Sequence, residues 1–295
     1  MKDVYVNRRT ILRSLGFAGA GTLLANNAQA GLFDWFTGSD GSPEVPSGTP
    51  GLTTLEQYKG YSNAYEFGTG KSDPNKRADD WNPGPWTVNI DGTDRTLDQV
   101  RGRPFAELQS EDFDFRCVEA WGMRVNYNGF PLSDILQEFG DVSKKYVAFT
   151  CVEDESLPGQ GRFSSFNWPY TEALTMEEAM HPLCWAVFGN YGEPSKANGA
   201  PFRINVPWKY GFKSAKFIVK IECTDEKPPA TWNRISQSEY GWYSNVYPDI
   251  SHPRWSQASH RHITSDGTDR IPTKRYNGYE DQVAHMYPNE DWDYR

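Results

Sequence analysis

The sequence predicts a mixed α+β single domain, rich in strands, and three observations predict it. Strand-type runs dominate the order of elements, with short helical stretches scattered among them. Aromatic residues make up 15% of the 295 residues, and 26 glycines and 20 prolines punctuate the chain, a composition that suits a loop-rich β fold rather than a helical bundle. No internal repeat is present.

The elements follow in order. Residues 1–30 read as an export signal. Arg8 and Arg9 precede the apolar run GFAGAGTLLA and a small-residue cleavage pattern at Ala28-Gln29-Ala30. The run falls short of the roughly 20 apolar residues a membrane span needs. The arginine pair, with Ile11 and Leu12 close behind, points to the twin-arginine export machinery as a partner and to the periplasm as destination. That route carries folded proteins, as a protein loaded with a cofactor before export would require. Residues 31–55 read as a linker, marked by GSDGSPEVPSGTP. Residues 56–295 read as the folded domain.

Within that domain LEQYKGYSNAYEFG reads as a loop or short helix, and WTVNI followed by Asp-Gly-Thr as a strand and turn. TLDQVRG and PFAELQS suggest short helical turns. Residues 113–118 and 123–127 read as strands around Glu119-Ala120-Trp121. Leu132, Ile135, Leu136 and Phe139 fall at helical spacing, with Ser133 as the expected N-cap. KYVAFTCV is a buried-strand run, YTEALTMEEAM a short helix, and WAVFGNYG, PFRINVPW and AKFIVKIEC further strands. From Pro228 onward the chain reads as irregular. Its aromatic content, including Trp232, Tyr240, Trp242 and Trp255, predicts a segment that wraps the domain rather than a disordered tail.

The net charge of −9 excludes nucleic acid as a partner, since that footprint is basic. No pair of the four cysteines has C-x-x-C spacing, so no zinc ribbon or thioredoxin-type motif is written here. In an oxidising compartment a disulfide stays open. G-x-S-x-G, H-E-x-x-H, the P-loop and the dinucleotide fingerprint are all absent. His260-Arg261-His262 would place two imidazoles on one face of a strand, and reads as a solvated pair rather than a metal site.

Cys117, in FRCVEAWGMRV, is the residue that asks for a role. Arg116 cannot stabilise its thiolate from the same strand, because adjacent side chains point to opposite faces. The local sequence therefore leaves an inert buried thiol and a functional one both open. A thiolate is a good ligand for a thiophilic metal, and coordination would deprotonate it.

FRCVEAWGMRVNYNGFPL resembles the molybdenum-site segment of the sulfite oxidase superfamily. More closely, it resembles the superfamily's bacterial periplasmic branch, the catalytic subunits of protein-methionine-sulfoxide reductase systems. YVAFTCVEDESLPGQ, YTEALTMEEAMHPL, NGAPFRINVPWKYGFKSAK, PPATWN, EYGWYSNVYP and SHPRWSQA carry the likeness over nearly the whole chain after the signal. The resemblance implies the molybdopterin-binding oxidoreductase domain, with one molybdenum on one molybdopterin. It implies that Cys117 is the catalytic thiolate ligand of the metal. Asn63, Tyr65, Glu66 and Cys151 match cofactor-contacting positions, as do Asn198 and Arg203 in NGAPFR and Ser214, Ala215 and Lys216 in GFKSAK. A guanidinium at Arg203 suits a terminal phosphate, which it can grip with two hydrogen bonds. Two departures stand out. Cys151 replaces a threonine, and Ser238 stands where relatives have an aspartate near the substrate mouth, which leaves substrate preference open. The implied reaction removes oxygen from methionine sulfoxide in oxidised periplasmic proteins. No C-x-x-C-H haem motif is present, so another protein is the expected electron donor, and the resemblance implies a membrane haem-containing subunit. Sulfite oxidation, with electrons passed to a cytochrome, is the alternative. It predicts cationic residues around the anion.

Overall fold

Strand β4 (Trp121–Pro131) is the hub of the half of the molecule that bears the site. The computed structural model describes residues 50–160 and 166–288; the signal at 1–30 and the linker up to residue 49 lie outside the described residues. Strand β3 (Gln109–Cys117) pairs antiparallel with β4 without a break, from Gln109 opposite Gly129 to Cys117 opposite Trp121. The other edge of β4 is shared. At its start it takes β10 (Ser259–Thr264) in parallel, and at its end β7 (Trp185–Asn190) antiparallel. Strands β8 (Arg203–Asn205) and β11 (Gly267–Pro272) complete this sheet. A slip in register falls between Asn128 and Gly129, where a Cβ on Gly129 would lie 2.0 Å from the Ala186 carbonyl oxygen, so only glycine lets the strands close.

The second sheet has the order β2 (Thr93–Thr96), β1 (Thr87–Ile90), β9 (Ile218–Thr224), β5 (Tyr146–Cys151), β6 (Thr171–Thr175). Burial alternates residue by residue along β5, whereas every residue of β7 is buried, so one strand covers the core and the other lies inside it. Residues of both sheets join one hydrophobic cluster that includes Trp185, Phe188, Phe202, Ile221 and Val147. The mixed, sheet-rich α+β architecture is the one the sequence predicts.

Four local expectations change. Thr53 is fully buried and donates to the Ile263 carbonyl, and Thr54 caps the helix Leu55–Gly60 through a capping box with Gln57. Residues 53–55 therefore belong to the folded body rather than to the linker. The helix Leu132–Phe139 forms as predicted, but Pro131, not Ser133, precedes it. Its entry is fixed by the Leu132 amide bonding Cys184 O at 2.8 Å. YTEALTMEEAM is not one helix. Thr171–Thr175 pairs with β5, and the helix begins at Met176 behind a Thr175–Glu178 capping box. The cap signature T-x-x-E was present in the sequence; the strand before it was set by pairing with a distant partner.

The fourth change concerns the C-terminal wrap. It holds a β10–β11 hairpin of six residue pairs, and it buries His260 and His262 at 4% and 3% exposure instead of leaving them in water. The two rings are 5.7 Å apart, and among the described residues no third metal-ligating side chain joins them. Burial pushes their pKa values down to about 3 and about 4, and that of His181 to about 4. Unfolded imidazoles titrate near 6.5, so below that pH the unfolded chain takes up protons that the folded one refuses. Stability is full above pH 6.5 and falls by about 1.4 kcal/mol per pH unit for each such histidine until the folded pKa is reached. Neither ring nitrogen of His262 has a hydrogen-bond partner. His262→Gln is therefore expected to flatten the decline in stability between pH 6.5 and 4, followed by urea unfolding, by about 1.4 kcal/mol per pH unit, and an unchanged slope would refute the assignment.

Two fully buried ion pairs brace the loop leading to the site. Lys209 meets Glu178 and Lys213 meets Glu172, both at 2.5 Å. Such pairs add little net stability. They do tie the loop 206–213 to β6 and the helix after it, and so place the next residues, Ser214–Lys216. All four cysteines are free thiols. Among the described residues no helix is long and apolar enough to cross a membrane.

Candidate functional site

The β3–β4 hairpin turns through Val118-Glu119-Ala120, and its last β3 residue, Cys117, faces a cavity of about 570 Å³. The segment after the helix Leu55–Gly60 supplies the facing wall with Asn63, Tyr65 and Glu66; the loop before β8 adds Asn198, and β8 itself Arg203. Ser214 and Lys216, just before β9, complete it. Eight of the ten predicted site residues therefore line one cavity, although they come from positions 63 to 216 of the chain.

Cys151 and Ala215 do not line it. Cys151 ends β5 on the inward face, 1% exposed, behind Glu66 and Lys216, and burial raises its thiol well above the ordinary range. Ala215 serves through its backbone, whose carbonyl accepts from Ile204 N at 3.0 Å. Both support the wall from behind. Ser238 is also outside the cavity, exposed beside a small hollow of about 30 Å³ shared with Glu239 and His252.

Burial pushes the Cys117 thiol up to about 12, and the Glu119 carboxylate adds to the rise. Its sulfur accepts only long contacts, from Asn63 Nδ2 at 3.6 Å and Glu119 N at 3.4 Å. Arg116 is turned away, as strand alternation requires, and its guanidinium bonds the Cys117 carbonyl, Gln257 and Thr273. Nothing in the protein therefore makes Cys117 a thiolate, and a bound cation at the sulfur would do so.

Glu119 stands beside it. Burial opposes its charge, but hydrogen bonds from Lys71, Trp121 and Asn63 outweigh burial and hold its pKa below the ordinary value. Lys71 Nζ reaches both Glu119 Oε2 and Asn63 Oδ1 at 2.5 Å. Beside Cys117 the Glu119 carboxylate and the Lys71 ammonium are thus already paired, while the charges of Arg116 and Lys216 also act on the thiol.

Along the same wall the charge balance changes. Arg203 is 2% exposed; Nη1 donates to Asn198 O at 2.6 Å and Tyr58 Oη at 3.2 Å, while Nη2 is buried with no partner. Lys216 donates to the Asn63 carbonyl, and burial, with Arg203 close by, lowers its pKa to about 8. Glu66 is the nearby carboxylate, and burial raises its pKa. Two cations face one reluctant carboxylate, which makes this stretch a receptor for an anion. An unpaired buried guanidinium nitrogen fits a phosphate, and a soft sulfur donor on the same wall fits a thiophilic metal, so the residues present suit a metal-carrying pterin phosphate.

Sequence reasoning missed most of the rest of the lining, and also Lys71, which carried no motif, pairs with Glu119 and does not itself line the cavity. Phe166, Trp168, Trp232, Tyr240 and Trp255 form an aromatic wall, with Tyr65 edge-on to Phe166 and Trp232 at 5.5 and 5.7 Å. PPATWN, EYGWY and HPRWSQ carried three of these rings within stretches already singled out. Arg254 also reaches the cavity, stacked 4.8 Å above Trp255 and paired with Glu239 at 2.7 Å.

A family model described as the oxidoreductase molybdopterin binding domain matches residues 76–232. The chain is also similar to a solved structure, the sulfane dehydrogenase SoxCD from Paracoccus pantotrophus, at 16% identity and a TM-score of 0.43. That likeness covers 86% of this chain and 66% of the other, just under two thirds of its length.

Proposed function

We propose a function from the premise that this chain belongs to the oxidoreductase molybdopterin-binding domain family: it is a molybdenum-dependent reductase that removes oxygen from methionine sulfoxide in proteins. The observation that carries the choice of substrate is the charge around Cys117. Sulfite is an anion and would need free cations there. Lys71 is paired with Glu119 and Arg254 with Glu239, and the other cations of the cavity, Arg203 and Lys216, are the ones assigned to the pterin phosphate. A neutral sulfoxide meets no such penalty.

When bound, the molybdenum–molybdopterin group supplies two-electron oxygen-atom chemistry. Overall, a sulfoxide, two electrons and two protons give a thioether and water. The chain's own residues bind and orient. Cys117 is the thiolate donor to the metal. Arg203 and Lys216 take the phosphate, and Asn63, Tyr65, Glu66, Asn198 and Ser214 shape the pterin's wall. Phe166, Trp168, Trp232, Tyr240 and Trp255 exclude water and offer ring edges to a sulfur-bearing side chain. The proposal includes a membrane haem-containing subunit as donor and oxidised periplasmic proteins as substrates. The paired arginines of the N-terminus and the lack of a haem motif support that part.

The test is a paired assay on purified, molybdenum-loaded protein. With a reduced dye as donor, methionine sulfoxide is expected to be consumed. Sulfite-dependent reduction of a cytochrome is expected to be at least about 100-fold weaker, the discrimination that a few kcal/mol of charge mismatch supplies. Sulfite turnover with the sulfoxide untouched would reverse the reading.

A further inference from the structure

The segment matched by the family ends at residue 232, yet the turn that presents Cys117 is held by residues beyond it. The Val118 carbonyl accepts from Trp255 Nε1 and from Gln257 Nε2, each at 2.8 Å. The Ala120 carbonyl accepts from Arg261 N at 3.0 Å. The Cys117 carbonyl takes a guanidinium hydrogen from Arg116, whose Nη2 is fixed by Gln257 Oε1 at 2.6 Å and by Thr273 Oγ1 at 3.3 Å. Thr273 in turn meets His260 Nδ1 at 2.9 Å, and a Cβ on Gly122 would lie 2.9 Å from the His260 ring.

These contacts have work to do. Ala120 sits at φ 61°, a left-handed conformation that an alanine does not choose unaided, and it persists where the surroundings over-determine it. Gln257 is 2% exposed and does not line the cavity, bordering instead the small hollow beside Ser238, and its side-chain amide bonds Arg116 and Val118. It receives Arg116 on its oxygen and donates from its nitrogen to Val118, tying both sides of Cys117 to one side chain.

We propose that Gln257 and Trp255 are positioning residues for Cys117: they lock the Cys117–Ala120 turn so that the sulfur points into the cavity, and the C-terminal segment thereby completes a site whose other parts lie in the matched segment. This rests on Cys117 being the metal's ligand, and it predicts a property of the thiol that needs no metal to observe.

The test compares Gln257→Met, Gln257→Glu and Trp255→Phe in the full chain produced without molybdenum. Iodoacetamide alkylation of Cys117 is followed by peptide mass spectrometry, with Cys184, fully buried, as the internal control. Each variant is expected to speed Cys117 alkylation about five- to tenfold, the loosening that goes with one net hydrogen bond lost, with Cys184 at the wild-type rate. Gln257→Glu keeps the acceptor for Arg116, so it remains informative if the methionine variant folds poorly. In molybdenum-loaded protein the same variants are expected to alter the electron paramagnetic resonance spectrum of the metal. Wild-type alkylation of Cys117 in all three variants overturns the proposal. So does a parallel rise at Cys184, which would mark a merely structural role. Failure of the ligand assignment itself would appear elsewhere, as full turnover in Cys117→Ser.

Discussion

Cys117→Ser is expected to lose turnover by more than about 100-fold, beyond the 10- to 100-fold typical for residues that only support a metal ligand, while its melting curve stays close to that of the wild type. The two halves of this result have separate physical grounds. A hydroxyl is a hard, weakly acidic donor, and a thiophilic metal gains little from it. The fold, by contrast, asks little of the sulfur. Its contacts at 3.4 and 3.6 Å are weak, and serine fills nearly the same space. Turnover, molybdenum per protein and thermal unfolding by circular dichroism measure the two halves. Full turnover in the variant would remove Cys117 from the reaction.

Arg203→Gln is expected to retain the fold but to hold its pterin about 10- to 100-fold more weakly, the loss that goes with one charge-assisted hydrogen bond of about 1.5–3 kcal/mol. The buried Nη2 has no protein partner, so its desolvation is offset only by an incoming acceptor. Arg203→Lys keeps the charge and is expected to fall between the two. It cannot both hold the Asn198 carbonyl and the Tyr58 hydroxyl and reach a phosphate, as the planar fork can. Pterin released per folded monomer, by fluorescence after gel filtration, is the measurement. Undiminished pterin in Arg203→Gln would place the phosphate elsewhere.

Local signals carried far in the reading of the fold. Strand-type patterns marked β1, β5 and β7, and helical spacing marked Leu132–Phe139, because each depends on close neighbours along the chain. The expectations that changed depend on partners far along the chain. Thr171–Thr175 became a strand by pairing with β5. His260 and His262 became core residues because β10 lies beside Trp121–Met123. Thr53 left the linker because Ile263 takes its hydroxyl hydrogen.

The candidate site divides in the same way. Sequence by itself determined the family, the export signal as an expectation, and eight residues that come to line one cavity, because long motifs preserve residue identities wherever the chain later puts them. Tertiary structure alone decided that Cys151 and Ala215 stand behind the wall, that Lys71 neutralises Glu119, and that Gln257 and Trp255 reach back to the turn beside Cys117. Burial, charge balance and hydrogen-bond partners are properties of the space between segments, and spacing along a chain does not contain them.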